Sequence, residues 1–349
     1  PLEFKMKQTA LVVAPGRGTY NRSELGYLKT HHAPRQALFE EFDNFRCKQS
    51  QIPVSELDGA ETFSGSKFTK GENASPLIYS CSYADFLAID TSKVEVVAVT
   101  GNSMGWYTAL ACAGTLSPIG GFEVVNTMGT LMQKNLIGGQ LVYPFLDVDW
   151  RPIPERKSEI LEKIAEINAL ANHTLTVSID LGGMIVLAGD EPGLSAFEKE
   201  MPRIDDKFPM RLPNHAAFHS HLQAPVAEQG RSALPLELFQ QPDLPLIDGR
   251  GQIWYPHSSS LSDLRDYTLE HQVIETYDFT TAVQTAAFEF MPDLVIVLGP
   301  GNTLGGATAQ SLLLASWHGL TDKDGFQTAQ NETPFLISMG DIAQRSSVT

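Results

Sequence analysis

A serine between two glycines is the most informative group in this sequence that could do chemistry. Residues 101–105 (GNSMG) fit the pattern G-x-S-x-G, between the apolar run Val94–Val99 and a helix predicted over Trp106–Ala113. A tight strand-to-helix turn brings the next backbone N–H and the helix N-terminus close to the serine oxygen. Ser103 is therefore a candidate nucleophile, with the Met104 N–H as an oxyanion donor. The alternative is an ordinary glycine-rich turn with a solvent-facing serine.

A histidine cluster downstream of the serine supplies candidates for the base. A serine hydroxyl is not nucleophilic at neutral pH unless a neighbouring group takes its proton. His215, His219 and His221 fall within seven residues, out of nine histidines in the chain. The cluster indicates a functional loop, but spacing alone does not decide which imidazole acts.

The elements that must position these groups indicate an α/β fold. Continuous apolar runs at Thr9–Ala14, Val94–Val99 and Leu294–Leu298 are typical of buried strands. Such strands, alternating with helices, predict a parallel sheet that is covered on both faces. The polar, Gly- and Ser-rich stretch Ser50–Asn73 is expected to be a loop.

A second unit is predicted after Gly138. There the pattern runs strand, helix, strand, strand, helix, which is typical of a small α+β sandwich inserted into a larger domain. The predicted organisation is a large α/β catalytic domain formed by residues 6–137 and 213–349, with a subdomain at 138–212.

Composition excludes several classes of function. The net charge of −16 argues against nucleic acid and against an anionic membrane as partners. Three widely spaced cysteines without a CxxC pair suggest neither a disulfide framework nor a zinc site, so no metal is expected. No secretory segment and no run of 18 apolar residues is apparent, so a cytoplasmic enzyme is expected. Residues 1–5, before Met6, look like an expression-vector remnant.

Four motifs, in this order, resemble those of the malonyl-CoA:acyl-carrier-protein transacylase family, which includes acyltransferase domains of polyketide synthases. They are residues 14–18 (APGRG), 99–110 (VTGNSMGWYTAL), 217–220 (AFHS) and 299–301 (GPG). The resemblance extends from about Ala10 to Leu313. It implies an α/β-hydrolase-like large domain and identifies the inserted unit as a ferredoxin-like subdomain.

The resemblance also implies a role for each site residue. Ser103 would attack a thioester carbonyl, and His219 would take its proton and later activate the incoming thiol. The backbone N–H groups of Arg17 and Met104 would form the oxyanion hole. Gln272 would orient His219 through its main-chain carbonyl; the alternative for Gln272 is a surface helix residue. The family needs no bound cofactor: acyl-CoA is the donor, and the phosphopantetheine thiol of an acyl carrier protein is the acceptor.

The sequence departs from the family's pattern around the substrate. Met128 stands where malonyl-selective members carry an arginine that pairs with the free carboxylate of malonyl. Asp180 falls in the segment that lies over the family's pocket, and a carboxylate there would repel malonyl; the alternative for Asp180 is a residue that caps a turn. An unpaired buried charge costs several kcal/mol, so the expected substrate is an uncharged acyl group. The alternative is that the Arg17 side chain supplies a replacement cation.

Two more changes lie beside the nucleophile. Asn102 replaces the family's histidine and Trp106 replaces its glutamate, where the tryptophan either narrows the pocket or packs. The predicted substrate-binding set is completed by Phe218, next to the candidate base, and comprises Asn102, Met128, Asp180 and Phe218.

Three other functions remain open. An acyl hydrolase of the same fold would pass the acyl group from Ser103 to water. A serine esterase of the α/β-hydrolase type would need the chain order Ser, Asp or Glu, His and an HGGG-like loop, and no such loop is found. A non-catalytic carrier-binding subunit is favoured by Asn102, Trp106 and Met128, whereas the retained Ser103 and His219 argue against it.

The net charge also bears on the carrier protein. Carrier proteins are usually acidic, so docking would need a local basic patch on this acidic chain. Lys134 and Arg211 are the candidates, because they lie near the active segments in sequence.

Overall fold

The computed structural model describes residues 6–349, so the proposed remnant at residues 1–5 lies outside it. The strands are β1 (Gln8–Ala14), β2 (Val94–Gly101), β3 (Gly139–Pro144), β4 (Leu175–Leu181), β5 (Met184–Gly189), β6 (Met210–Arg211), β7 (Leu246–Ile247), β8 (Ile253–Trp254), β9 (Tyr277–Asp278), β10 (Leu294–Val297) and β11 (Leu336–Ser338).

The larger sheet has the strand order β11-β10-β1-β2-β7-β8. All neighbours in it are parallel except β8, which runs antiparallel to β7 at the edge. Leu11, Val12 and Val13 of the central strand are fully buried. The three apolar runs predicted as strands are therefore β1, β2 and β10, and the predicted α/β class is confirmed.

Helices surround this sheet and connect its strands. They are α1 (Tyr27–His32), α2 (Gln36–Lys48), α3 (Val54–Asp58), α4 (Gly65–Phe68), α5 (Gly71–Ala88), α6 (Gly105–Cys112), α7 (Pro118–Lys134), α8 (Arg156–Asn168), α9 (Glu191–Glu200), α10 (Ala224–Ala233), α11 (Leu261–Asp266), α12 (Gln272–Ile274), α13 (Phe279–Phe290), α14 (Leu304–Leu314), α15 (Lys323–Glu332) and α16 (Ile342–Arg345). Helix α6 packs on β1 and β2, and α5 packs along α7. None of the helices within residues 6–349 combines the length and apolar character that crossing a bilayer requires.

The smaller sheet has the strand order β6-β3-β5-β4-β9. Strands β3, β4, β5 and β6 pair antiparallel, whereas β9 joins parallel to β4. Because β9 comes from Tyr277–Asp278, the sheet is not built from residues 138–212 alone. This pairing connects the small sheet to the segment that follows Gln272.

The expectation of a loop over Ser50–Asn73 is wrong for part of that stretch, which contains α3, α4 and the start of α5. Val54 and Leu57 in α3 are fully buried. Their spacing of three residues puts both on one helix face. This short apolar pair is hidden among polar neighbours, so the overall composition suggested a loop.

Candidate active site

The candidate nucleophile lies on a sharp turn between β2 and α6. Ser103 has a φ of +56°, in the left-handed region that most side chains avoid. A Cβ on Gly101 would lie 2.3 Å from the Gly105 carbonyl oxygen, and one on Gly105 would lie 2.2 Å from the Ala14 carbonyl oxygen. Both glycines of the G-x-S-x-G pattern are therefore required by close backbone packing.

One of the three clustered histidines faces this serine. His219 is buried, and its Nε2 lies 2.8 Å from Ser103 Oγ. His215 instead lies 2.7 Å from the Gln140 side-chain oxygen, and the His221 side chain is 81% exposed. The geometry thus identifies His219 as the candidate base, which the spacing of the three histidines in the sequence did not.

The other ring nitrogen of His219 fixes the tautomer. His219 Nδ1 lies 2.6 Å from the main-chain carbonyl oxygen of Gln272. A carbonyl can only accept a hydrogen bond, so Nδ1 carries the proton and Nε2 is free to accept the proton of Ser103. The imidazole is therefore oriented as a base toward the hydroxyl.

Gln272 is buried, and its side chain contacts both halves of the site. Its amide nitrogen donates to the main-chain oxygen of Ser103 at 3.0 Å, and its amide oxygen accepts from the Tyr107 hydroxyl at 3.2 Å. Gln272, for which the sequence left a site residue and a surface helix residue as alternatives, thus links the serine turn to the histidine.

Sequence reasoning missed Tyr277. Its hydroxyl donates to the Gly101 carbonyl at 2.5 Å, and its ring centroid lies 5.4 Å from that of His219. Tyr277 therefore supports the serine turn and one face of the imidazole. It lies outside every recognisable motif, and only the pairing of β9 with β4 brings it here.

Two backbone N–H groups point to a place for an oxyanion. Neither the Met104 N–H nor the Arg17 N–H donates a hydrogen bond within residues 6–349. Both residues line the same cavity as Ser103. A Cβ on Gly16 would lie 2.7 Å from the Asn102 carbonyl oxygen, so the turn before Arg17 presses directly on the serine turn. This pair of free donors could stabilise a tetrahedral oxygen formed on Ser103.

A narrow cavity leads to the nucleophile and the base. Its lining residues are Arg17, Ser75, Ser103, Met104, Tyr107, Val125, Gly129, Met132, Phe218, His219, Gln272 and Val273. Phe218, which the sequence predicted to bind substrate, lines this cavity. Arg17 is the only arginine or lysine, and no carboxylate occurs, among the described residues that form this wall.

Three of the four predicted substrate-binding side chains do not line this cavity. Met128 is fully buried with its sulfur against Gly230. Asn102 is buried beside the turn, and its side-chain oxygen has no partner within residues 6–349. From α7, the side of this cavity is formed by Val125, Gly129 and Met132 and not by Met128.

Asp180 is also corrected, because it faces a different part of the molecule. Its carboxylate lies 2.6 Å from Lys157 Nζ and accepts a hydrogen bond from the Thr280 hydroxyl at 2.6 Å. These partners use both carboxylate oxygens, and Asp180 lines another cavity. Repulsion of a substrate carboxylate by Asp180 therefore has no geometric basis.

Trp106 packs and does not narrow the cavity. Its side chain is fully buried, and its indole N–H donates to the Thr268 hydroxyl at 3.0 Å. The ring meets Tyr267 edge-on, with centroids 5.3 Å apart. The residue beside the second glycine of the motif is thus part of the core.

The buried environment of the candidate base should keep it unprotonated in mildly acidic solution. Desolvation lowers the pKa of His219 from 6.5 to about 4, against the opposing effect of the Gln272 carbonyl. A base acts only while it is unprotonated, so acyl loading of Ser103 should stay level down to about pH 5. Below about pH 4 it should fall by about tenfold per pH unit.

The measurement is the pH profile of kcat/KM for acyl loading, with circular dichroism at each pH as a control for folding. An acidic limb centred near the ordinary histidine value of 6.5 would contradict the desolvated base. A limb that moves with loss of the circular dichroism signal would report unfolding.

No protein-family model matches the chain. Curated relatives do: the malonyl CoA-acyl carrier protein transacylase of Bacillus subtilis is 23% identical over 270 residues, covering 77% of this chain and 80% of the relative. The Salmonella typhimurium protein of the same name is 24% identical over 313 residues, covering 87% of this chain and 92% of the relative. Both alignments cover more than three quarters of each protein. The chain is similar to malonyl CoA-acyl carrier protein transacylases over most of its length.

A polyketide synthase is also among the relatives of this chain. The chain is 23% identical to the phenolphthiocerol synthesis type I polyketide synthase of Mycobacterium marinum over 308 residues, which are 86% of this chain and 13% of that protein.

Solved structures share the fold over the full length. An acyl-carrier-protein S-malonyltransferase from Burkholderia pseudomallei aligns with a TM-score of 0.74 at 21% identity, covering 98% of this chain and 99% of that one. A malonyl-transacylase solved in complex with its type II polyketide synthase acyl carrier protein aligns with a TM-score of 0.72 at 19% identity, covering 98% and 99%.

Proposed function

We propose that this chain is an acyltransferase that moves an acyl group from acyl-CoA, through an ester on Ser103, to the phosphopantetheine thiol of an acyl carrier protein. The observation that carries the proposal is the series of contacts from Ser103 Oγ to His219 Nε2 at 2.8 Å and from His219 Nδ1 to the Gln272 carbonyl at 2.6 Å. The transacylase names of its full-length relatives agree with this reaction.

The first half of the reaction forms the acyl-enzyme. Ser103 Oγ attacks the thioester carbonyl while His219 Nε2 takes its proton. The Met104 and Arg17 N–H groups hold the negative charge that develops on the carbonyl oxygen. The tetrahedral intermediate then collapses, its bond to sulfur breaks, and the proton on His219 leaves with the CoA thiol.

The second half repeats these steps with a different thiol. His219 takes the proton of the carrier's phosphopantetheine thiol, and the sulfur attacks the ester carbonyl. The bond to Ser103 Oγ breaks, and the proton returns to that oxygen. Exchanging one thioester for another is nearly isoenergetic, so the site must exclude water more than it must drive the reaction. The buried His219 and the narrow cavity suit this requirement.

The geometry also bears on the alternatives. A serine esterase would be expected to hold its histidine with a carboxylate, whereas His219 Nδ1 lies against a main-chain carbonyl. A non-catalytic binding subunit would have no use for a hydroxyl, a desolvated imidazole and two free N–H groups in one cavity. An acyl hydrolase would use the same groups, so the fate of the acyl-enzyme distinguishes it.

The proposal is tested by intact-protein mass spectrometry after incubation with acetyl-, malonyl- and longer acyl-CoA, each with and without a carrier protein. The expected result is an acyl adduct that persists alone and moves to the carrier when its phosphopantetheine is present. A carrier without phosphopantetheine is the control. Rapid release of free acid without the carrier would favour the hydrolase, and no adduct with any acyl-CoA would contradict both enzymatic functions.

The carrier would dock near the cavity through a local cation. Arg211 is already paired with Glu191 and Glu198, at 3.0 and 2.9 Å. Lys134, at the end of α7, is exposed and forms no ion pair within residues 6–349. Lys134 is therefore the better of the two candidates for docking.

The cytoplasmic location of the reaction stays a prediction.

A further inference from the structure

The guanidinium of Arg17 lies in the cavity of the nucleophile with part of its hydrogen-bonding capacity unused. Arg17 Nη2 donates to the carbonyl oxygens of Thr69 and Asn214. Arg17 Nη1 and Nε have no partner among residues 6–349, and no carboxylate there pairs with this arginine. Two carbonyls therefore hold the group in place and leave N–H donors available to a ligand.

This guanidinium lies near the contact between α5 and α7. A Cβ on Gly71 would lie 3.5 Å from Arg17 Nη1 and 2.8 Å from the Gly129 carbonyl oxygen. Gly129 directly follows Met128 and lines the cavity. Arg17 Nη1 thus lies beside the contact between α5 and α7, at the level of the residue that follows position 128.

The surroundings keep this cation charged but incompletely compensated. Burial lowers the pKa of Arg17 to about 10, which still leaves it protonated near pH 7. The Phe218 ring, whose centroid is 5.5 Å from Arg17 Cζ, offers partial compensation. A desolvated cation without a carboxylate is costly, and a planar guanidinium with free N–H groups is suited to bind one.

We propose that Arg17 binds the free carboxylate of an α-carboxyacyl thioester, malonyl or an α-substituted malonyl, in place of the arginine absent at position 128. This inference rests on the proposed acyl transfer through Ser103. It reverses the expectation of an uncharged substrate, because that expectation depended on Met128 and Asp180, and neither side chain lines the cavity.

The test compares loading of Ser103 from malonyl-CoA and from acetyl-CoA in the wild type and in Arg17→Gln, Arg17→Lys and Arg22→Gln. Arg17→Gln removes the charge but keeps the backbone N–H. Arg22 is exposed, so Arg22→Gln controls for the loss of one positive charge. The wild type should prefer malonyl, and Arg17→Gln should lower the malonyl-to-acetyl ratio of kcat/KM by roughly 10- to 100-fold, the size of one hydrogen bond to a charged group. The ratio of Arg17→Lys should lie between those of the wild type and Arg17→Gln, and the ratio of Arg22→Gln should match that of the wild type.

Each outcome decides between the two proposals. A wild type that loads acetyl better than malonyl overturns the Arg17 inference and leaves acyl transfer intact. The same conclusion follows if the Arg17→Gln variant still loads acetyl and keeps the wild-type preference for malonyl. If wild-type protein loads neither donor, acyl transfer itself fails. If Arg17→Gln does not fold, the ratio in Arg17→Lys decides, and an unchanged ratio there overturns the inference.

Discussion

Ser103→Ala should form no acyl adduct from any acyl-CoA and should lower transfer to the carrier protein by about 10⁴-fold or more. The reason is that the hydroxyl that would make the covalent intermediate lies 2.8 Å from the base. Removing it leaves only substrate binding and the two free N–H groups. Intact-protein mass spectrometry measures the adduct, and a radiolabelled acyl group measures transfer.

His219→Ala should lower the rate of loading by about 10³-fold or more, because the hydroxyl loses its general base. The two residues act as a unit, so the double variant should be little worse than Ser103→Ala alone. Independent, multiplying losses would indicate that His219 does not activate Ser103.

A second serine in the cavity provides a matched control. Ser75 lines the same wall, but no histidine makes a hydrogen bond to it among the described residues. Ser75→Ala should therefore still form the acyl adduct. An adduct that persists in Ser103→Ala and disappears in Ser75→Ala would move the nucleophile to Ser75 and contradict the proposed site.

The serine turn could be predicted because its information is local. A short apolar strand, small residues and a following helix specify a sharp bend, and the close approach of Gly105 to Ala14 explains why these residues occur there. The buried strands β1, β2 and β10 could also be predicted from the sequence, since a strand covered on both faces is apolar at every position. Such patterns are complete within about ten residues.

The substrate wall could not be predicted from spacing alone. The position of Met128 after Ser103 does not say whether the Met128 side chain faces the cavity or Gly230. Asp180 finds its partners at Lys157 and Thr280, and those contacts exist only after the small sheet has formed. Side-chain direction and distant partners depend on tertiary packing, which a motif does not encode.

Asp85→Ala should destabilise the fold by about 3–5 kcal/mol, a large part of the ~5–15 kcal/mol that holds a typical domain together. Asp85 is fully buried and accepts hydrogen bonds from four groups: His32 Nε2 at 2.7 Å, Arg345 Nη1 at 2.6 Å, the Tyr27 hydroxyl at 2.8 Å and the Gly299 N–H at 2.8 Å. Removing the carboxylate leaves a buried guanidinium and three buried donors without their shared acceptor.

Urea unfolding monitored by circular dichroism measures this change, provided that the slope m stays constant. Glu166→Ala is the control, because Glu166 is 63% exposed and its ion pair with Lys163 should contribute about 0–1 kcal/mol. If Asp85→Ala and Glu166→Ala shift the midpoint equally, the buried cluster does not stabilise the fold as argued.

A double-mutant cycle identifies the source of the loss. If most of it comes from leaving Arg345 charged and unpaired, Arg345→Met should restore part of the stability of Asp85→Ala. The double variant should then be less destabilised than the sum of the single variants by about 1 kcal/mol or more. Strict additivity would mean that Asp85 acts mainly through Tyr27, His32 and the Gly299 N–H, which connect α5 with α1 and with the turn after β10.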